Sequence, residues 1–170
     1  MFQIRFASIA TLSAACVAPP LWAADLAKPT GEVLLTVSGA ISVTNVGETA
    51  RFDRAMLEQL GAVTIETETI WTEGEQTFTG VPLSRLMDAV AGTGDSLNAT
   101  AINDYAVAIP REDWVDDGPI VAYLNNGEPM SVRGKGPLWI VYPYDTHPEY
   151  QSEVIYSRSI WQLDRIVVEN

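Results

Sequence analysis

Cysteine and histidine are almost missing from this chain. Among its 170 residues Cys16 is the one cysteine and His147 the one histidine. A single thiol allows no disulfide within the chain, and beyond residue 16 there is no thiolate to ligate a metal or attack a substrate. One histidine cannot furnish the usual zinc ligand set, and no serine sits in a nucleophile elbow that would complete a Ser/His/Asp arrangement. Cations are scarce as well, with 10 Lys and Arg against 22 Asp and Glu and a formal net charge of -12. A surface this acidic repels phosphate backbones and offers no polybasic patch to anionic lipid, so no nucleic acid is expected as a partner. The carboxylates do not fall into a calcium-loop spacing, and no pair stands out for glycoside chemistry. No metal is expected. Internal repeats, low-complexity tracts and a second-domain linker are also lacking.

What is present begins with a leader. Arg5 is the lone charge before an apolar run at residues 6–17, Pro19 and Pro20 break that run, and Leu21-Trp22-Ala23-Ala24 offers small residues for cleavage. The run is too short to span a bilayer, and the charge order fits a secretory signal peptide over residues 1–24. Its removal takes Cys16 away and leaves residues 25–170 as one expected domain. At 47% hydrophobic and 9% aromatic residues, this length supplies a single core.

Residues 32–37 read as a first strand and Asn45 to Glu48 as a turn. Asp53 caps a short helix over residues 54–60, closed by Gly61. Residues 62–69 alternate, with Val63, Ile65, Thr67 and Thr69 on one face and Thr64, Glu66 and Glu68 on the other, which predicts a half-buried strand. After a polar excursion at residues 72–77, Gly80-Val81-Pro82 opens a helix. Its apolar residues Leu83, Leu86, Met87 and Val90 recur at helical spacing before Gly92. Residues 99–102 and 105–109 are strand-like around Asn103-Asp104. Residues 111–117 form a short acidic segment, residues 120–124 a strand, and Asn125-Asn126-Gly127-Glu128 a turn. Residues 146–150 read as irregular, and residues 163–168 as the last strand. Strands outnumber helices without alternating with them, which predicts an α+β fold of mixed β-sheets with a few short helices.

The chain is organised around residues 133–145. Arg133 and Lys135 stand in a glycine-rich turn, an apolar segment follows from Leu138 to Tyr142, and Pro143, Tyr144 and Asp145 close it. Arg133-Gly134-Lys135-Gly136 either wraps an anion or makes a tight turn with solvated cations. Trp71, Trp139, Tyr142 and Tyr144 either sandwich a flat ring or fill the core; Trp71 has the better claim to a ring because it sits where a strand leaves the sheet. Asp104 and Asp145 either accept paired hydrogen bonds from an amidine-like edge or, for Asn103-Asp104, serve turn chemistry. His147 is either a base or an exposed loop residue.

Four motifs then carry a resemblance. Gly80-Val81-Pro82-Leu83 with Leu86, Asn103-Asp104-Tyr105, the stretch from Tyr123 to Pro129, and Gly136-Pro137-Leu138 resemble the molybdopterin-binding domain of the sulfite-oxidase-fold oxidoreductases, over residues 34–168. In those enzymes the strand before the Gly-Val-Pro-Leu motif carries a molybdenum-ligating cysteine; here the matching position is Thr69, and a hydroxyl is a poor substitute for a thiolate. The chain thus resembles the stand-alone, cysteine-less periplasmic branch of that fold. The resemblance implies a free pterin (neopterin/monapterin-like) as ligand, with molybdopterin less favoured. It also implies a partner, a membrane-bound GGDEF/EAL-type protein that makes or degrades cyclic di-GMP. The implied ligand set joins Thr69, Trp71, Asn103, Asp104 and Tyr105 to Arg133, Lys135, Tyr142, Tyr144, Asp145 and Arg158. Loss of the cysteine turns the expectation toward binding without catalysis. A molybdopterin-dependent oxidoreductase, or a subunit of one, is the alternative.

Overall fold

The computed structural model describes residues 26–170, so the leader reading lies outside the described residues. The described residues form ten strands and three short α-helices: β1 (Val33–Gly39), β2 (Ala50–Asp53), α1 (Arg54–Gln59), β3 (Val63–Thr67), β4 (Gln76–Pro82), α2 (Leu83–Ala89), β5 (Ser96–Ala101), β6 (Ala106–Pro110), β7 (Ile120–Asn125), β8 (Glu128–Pro129), β9 (Trp139–Val141), α3 (Glu153–Arg158) and β10 (Leu163–Glu169). Two five-stranded sheets result, one in the order β2-β1-β10-β5-β6, the other β3-β4-β7-β8 with β9 also paired to β7. The β1–β10 pair is parallel, and the other pairings are antiparallel. The α+β expectation from the sequence holds.

Both sheets contribute to one hydrophobic core: Leu35, Val37 and Phe52 come from one, Phe78, Val81 and Trp139 from the other, all essentially inaccessible. Asp53 caps α1 as expected, its Oδ1 accepting from Met56 N at 3.0 Å. Its Oδ2 accepts from Thr30 N and Gly31 N at 2.8 Å each, tying the N-terminal lead-in to the helix. The alternation in β3 is also observed: Val63 and Ile65 are half-buried and Thr67 is buried, while Thr64 and Glu66 are exposed.

Three elements depart from the sequence reading. Residues 76–82 are β4, not an excursion followed by a helix start. Gly80 marks a register shift against β7, where a side chain would collide with the Val121 carbonyl. A glycine in a strand at a close backbone approach reads as a breaker when the partner strand is unknown. Pro82 is the last residue of β4, and the first free N–H of α2, on Leu83, donates to Pro119 O at 2.9 Å. Residues 50–53 pair as β2 and residues 153–158 form α3, neither of which was expected. Both are too short for a period to emerge, and α3 buries only Ile155.

Candidate functional site

Three segments converge on one cleft. The first is the arm of residues 67–72 that leaves β3 and carries Trp71. The second is the turn between β5 and β6, held by Ala101 N to Tyr105 O at 2.8 Å and by Tyr105 N donating to Asn103 Oδ1 at 3.2 Å. Asp104 sits there at φ 67°, a left-handed position that Asp tolerates better than most residues. The third is α3 with the loop that follows it, backed by β9, which is bridged to that loop at Trp139–Trp161.

The cleft has a volume of about 380 Å³ and is lined by Trp71, Ala101, Asn103, Tyr105, Tyr156, Ser157, Ser159, Ile160, Trp161 and Gln162. Small-ligand pockets run from about 300 to 1,000 Å³ and are mostly apolar with a few polar groups, and this cleft fits that description. Its aromatic wall is a set of edge-on contacts. The Trp71 ring lies 5.9 Å from Trp139, 5.9 Å from Tyr156 and 5.6 Å from Trp161, at 65°, 83° and 71° respectively. In each such pair the edge of one ring meets the face of the other, which fixes the rings relative to one another. A smaller hollow of about 200 Å³ shares Tyr156 with the cleft and is otherwise lined by Glu68, Thr69, Ile70, Tyr144, Asp145 and Gln151.

Of the residues expected at a ligand, the structure gathers Trp71, Asn103 and Tyr105 at the cleft and Thr69, Tyr144 and Asp145 at the smaller hollow. The others go elsewhere. Asp104 pairs with Arg165, which also holds Asp164 at 2.9 Å. Its carboxylate is thus engaged by an arginine, while Asn103 both braces the turn and lines the cleft. Lys135, left-handed at φ 72°, places its Nζ 4.9 Å from the Trp161 ring centre and 5.7 Å from that of Trp139. It touches the aromatic wall without lining the cleft. Arg133 is exposed on a short 3-10 turn, Val132–Gly134, outside both cavities. His147 sits in a loop, its Nδ1 3.1 Å from Glu149 Oε1.

Tyr142 and Arg158 line neither cavity and meet instead at Asp113. The Tyr142 hydroxyl, fully buried, donates to Asp113 Oδ2 at 2.7 Å. Arg158 Nη1 donates to the same carboxylate at 2.9 and 3.1 Å. Burial, followed by the bond to Asp113, pushes the Tyr142 hydroxyl far above its ordinary value. Tyr144 is likewise buried. Its hydroxyl contacts Ser159 Oγ, which donates on to Ile155 O at 3.1 Å, and burial raises its pKa to about 12. The Ser159 carbonyl accepts from Trp139 Nε1 at 3.1 Å. Ser159 therefore joins α3, β9 and the cleft floor.

Tyr156, Ser157, Ser159, Ile160, Trp161 and Gln162 were not anticipated as cleft residues. The usable signal was the pair of aromatics at 156 and 161 in a stretch with no readable period. Among the described residues no three His, Cys, Asp or Glu side chains come together as a metal site.

No family model matches the chain, and no curated protein matches it. Among solved structures it is similar to the crystal structure of the sulfane dehydrogenase SoxCD from Paracoccus pantotrophus, with a TM-score of 0.58 and 18% sequence identity. The match covers 79% of this chain but only 37% of that one, so this chain corresponds to little more than a third of the enzyme's length. At that identity the likeness establishes the fold alone, a mixed-sheet α+β architecture shared with part of that structure.

Proposed function

We propose that this chain binds a free pterin in the aromatic cleft and carries out no chemistry on it. The observation that carries the reading is the cleft itself. A cavity of about 380 Å³ is walled by Trp71, Tyr105, Tyr156 and Trp161, with Asn103, Ser157 and Gln162 at hand for the polar edge of a bicyclic heterocycle. Stacking on such rings is worth about 1–3 kcal/mol per flat base by alanine substitution. The shared fold and the motif resemblance support a pterin-type guest in particular. Compounds extracted from the protein as purified from its own cells test the reading: pteridine fluorescence with a matching mass is expected, and their consistent absence at protein-equivalent amounts contradicts it.

The alternative is a molybdopterin-dependent oxidoreductase or a subunit of one, favoured by the likeness to a dehydrogenase. The residues present do not fit a thiolate-held metal. At the position matching the family's cysteine, the Thr69 hydroxyl is hydrogen-bonded to Trp71 N at 3.1 Å and to the Thr72 hydroxyl at 2.8 Å. Stoichiometric molybdenum in the purified protein would reverse this choice.

Within the proposal the mature chain works outside the cytoplasm, delivered by its leader, and reports pterin availability to a membrane-bound GGDEF/EAL-type protein. Pterin-dependent co-purification with the external domain of such a protein is the expected result. Equal association with and without pterin contradicts the relay.

A further inference from the structure

Thr69 and Asp145 were expected to touch a ligand; the geometry points to a different role. We infer that both are positioning residues that hold the arm of residues 67–72, and through it the ring of Trp71, in place. The inference rests on the proposed reading that Trp71 is a ligand wall, and it names what sets that wall.

Thr67, the arm's first residue, ends the β3 ladder at its pair with Gln76, and residues 68–72 have no strand partner beyond it. Side chains fix the arm instead, at two points. At the first, Glu68 N donates to Asp145 Oδ2 at 2.8 Å, and Asp145 N donates to Thr67 Oγ1 at 3.2 Å, a reciprocal clamp across 77 and 78 residues of sequence. At the second, Trp71 N donates to Thr69 Oγ1 at 3.1 Å, the Thr69 and Thr72 hydroxyls share a bond of 2.8 Å, and Thr72 N reaches Thr69 O at 3.4 Å. Thr67 and Thr69 are buried while Glu68 and Ile70 are exposed, so the strand's alternation persists past its ladder and turns both hydroxyls inward. A hydroxyl has one donor and two acceptor positions, and Thr69 has most of these committed within the turn. One oxygen of Asp145 is committed likewise.

The Trp71 ring is the beneficiary. Its three aromatic partners come from β9, α3 and the loop after α3, and edge-on packing against all of them demands one orientation. If the Thr69 hydroxyl is lost, Trp71 N has no acceptor and the turn relaxes. Valine has the shape of threonine without that oxygen, whereas serine keeps the oxygen. Asparagine in place of Asp145 keeps an acceptor for Glu68 N, and alanine does not.

The test uses the full chain and two readouts. The first is near-ultraviolet circular dichroism of the ligand-free protein, in which Trp71→Ala defines the signal of the packed indole. Thr69→Val and Asp145→Ala are expected to lose most of that signal while keeping a cooperative unfolding transition. Thr69→Ser and Asp145→Asn are expected to keep it. The second is calorimetric titration with pterin. Thr69→Val is expected to weaken binding about tenfold, within the range of coupling between contacting residues, and to weaken it no further in a Trp71→Ala background. The inference is overturned if Thr69→Val leaves the indole signal intact. It is equally overturned if Thr69→Val costs as much affinity without Trp71 as with it, for then Thr69 meets the ligand directly. Should the wild-type chain fail to bind pterin, the proposed function falls, and the dichroism comparison still decides the positioning role.

Discussion

Replacing Asp113 by alanine should destabilise this protein more than any single change at the cleft surface. The Asp113 side chain is 7% exposed and, among the described residues, is the sole carboxylate paired with Arg158, whose own side chain is 19% exposed. It also accepts a hydrogen bond from the hydroxyl of Tyr142, which is fully buried. Removing one member of a buried ion pair costs about 3–5 kcal/mol, because the surviving charge stays behind without its partner. The partial exposure of Arg158 moves that figure toward its lower end. The orphaned Tyr142 hydroxyl adds about 1–3 kcal/mol, since Asp113 is its one acceptor among the described residues. The two losses share one cause and overlap, so the expected net loss is about 3–5 kcal/mol, a large part of a domain's about 5–15 kcal/mol. Tyr142→Phe removes only one bond and leaves the Asp113–Arg158 pair, so about 1 kcal/mol is expected. Urea unfolding followed by circular dichroism measures both variants. The double variant should cost less than the sum of the two, because the hydroxyl that Asp113→Ala orphans is then gone. Ligand affinity should fall along with stability, since Arg158 ends α3, the helix that presents Tyr156 and Ser157 to the cleft. A loss below about 1 kcal/mol for Asp113→Ala at unchanged urea slope would refute the reasoning.

Three further outcomes follow from other sites. Trp161→Ala should lower pterin affinity by about 1–3 kcal/mol, as loss of a stacking ring does; unchanged affinity by calorimetry would remove this ring from the site. Hydrogen bonds from Gly31 N and Met56 N hold the Asp53 carboxyl below its ordinary 3.8. The folded state therefore favours the ionised form, and its contribution is present above pH about 4 and lost as pH falls through the lower folded value. Urea midpoints across acid pH should drop less steeply for Asp53→Asn than for wild type, and equal slopes would contradict the assignment. Tyr144 shows the opposite sign: burial raises its pKa to about 12. The unfolded chain gives up that proton near pH 10 while the folded chain retains it, so stability should fall between pH about 10 and 12, and less so in Tyr144→Phe.

How much of this was readable in advance depended on the range over which each signal acts. The α1 cap at Asp53, the alternation of β3 and the hairpin turn at Asn126-Gly127 rest on neighbouring residues, and the structure bears them out. β4 was misread because Gly80 and Pro82 break strands in isolation, whereas here the glycine admits the close approach of β7 and the proline falls at the strand's end. The cleft was half visible. Trp71, Asn103 and Tyr105 sit beside turns, where exposed groups collect. The other wall comes from residues 156–162, whose place opposite Trp71 depends on the pairing of β9 with β7 and on the bridge from Trp139 to Trp161, contacts that no local pattern encodes. Tyr142 and Arg158 have the chemistry of ligand contacts, but Asp113, far away in sequence, claims both.

The most direct measurement is a calorimetric titration of the purified chain with pterin, alongside the Trp71→Ala variant. Saturable binding at one site per chain, weakened about tenfold or more when Trp71 is removed, is the result the account predicts. No heat of binding at high micromolar pterin, or equal affinity with and without the Trp71 ring, would contradict it.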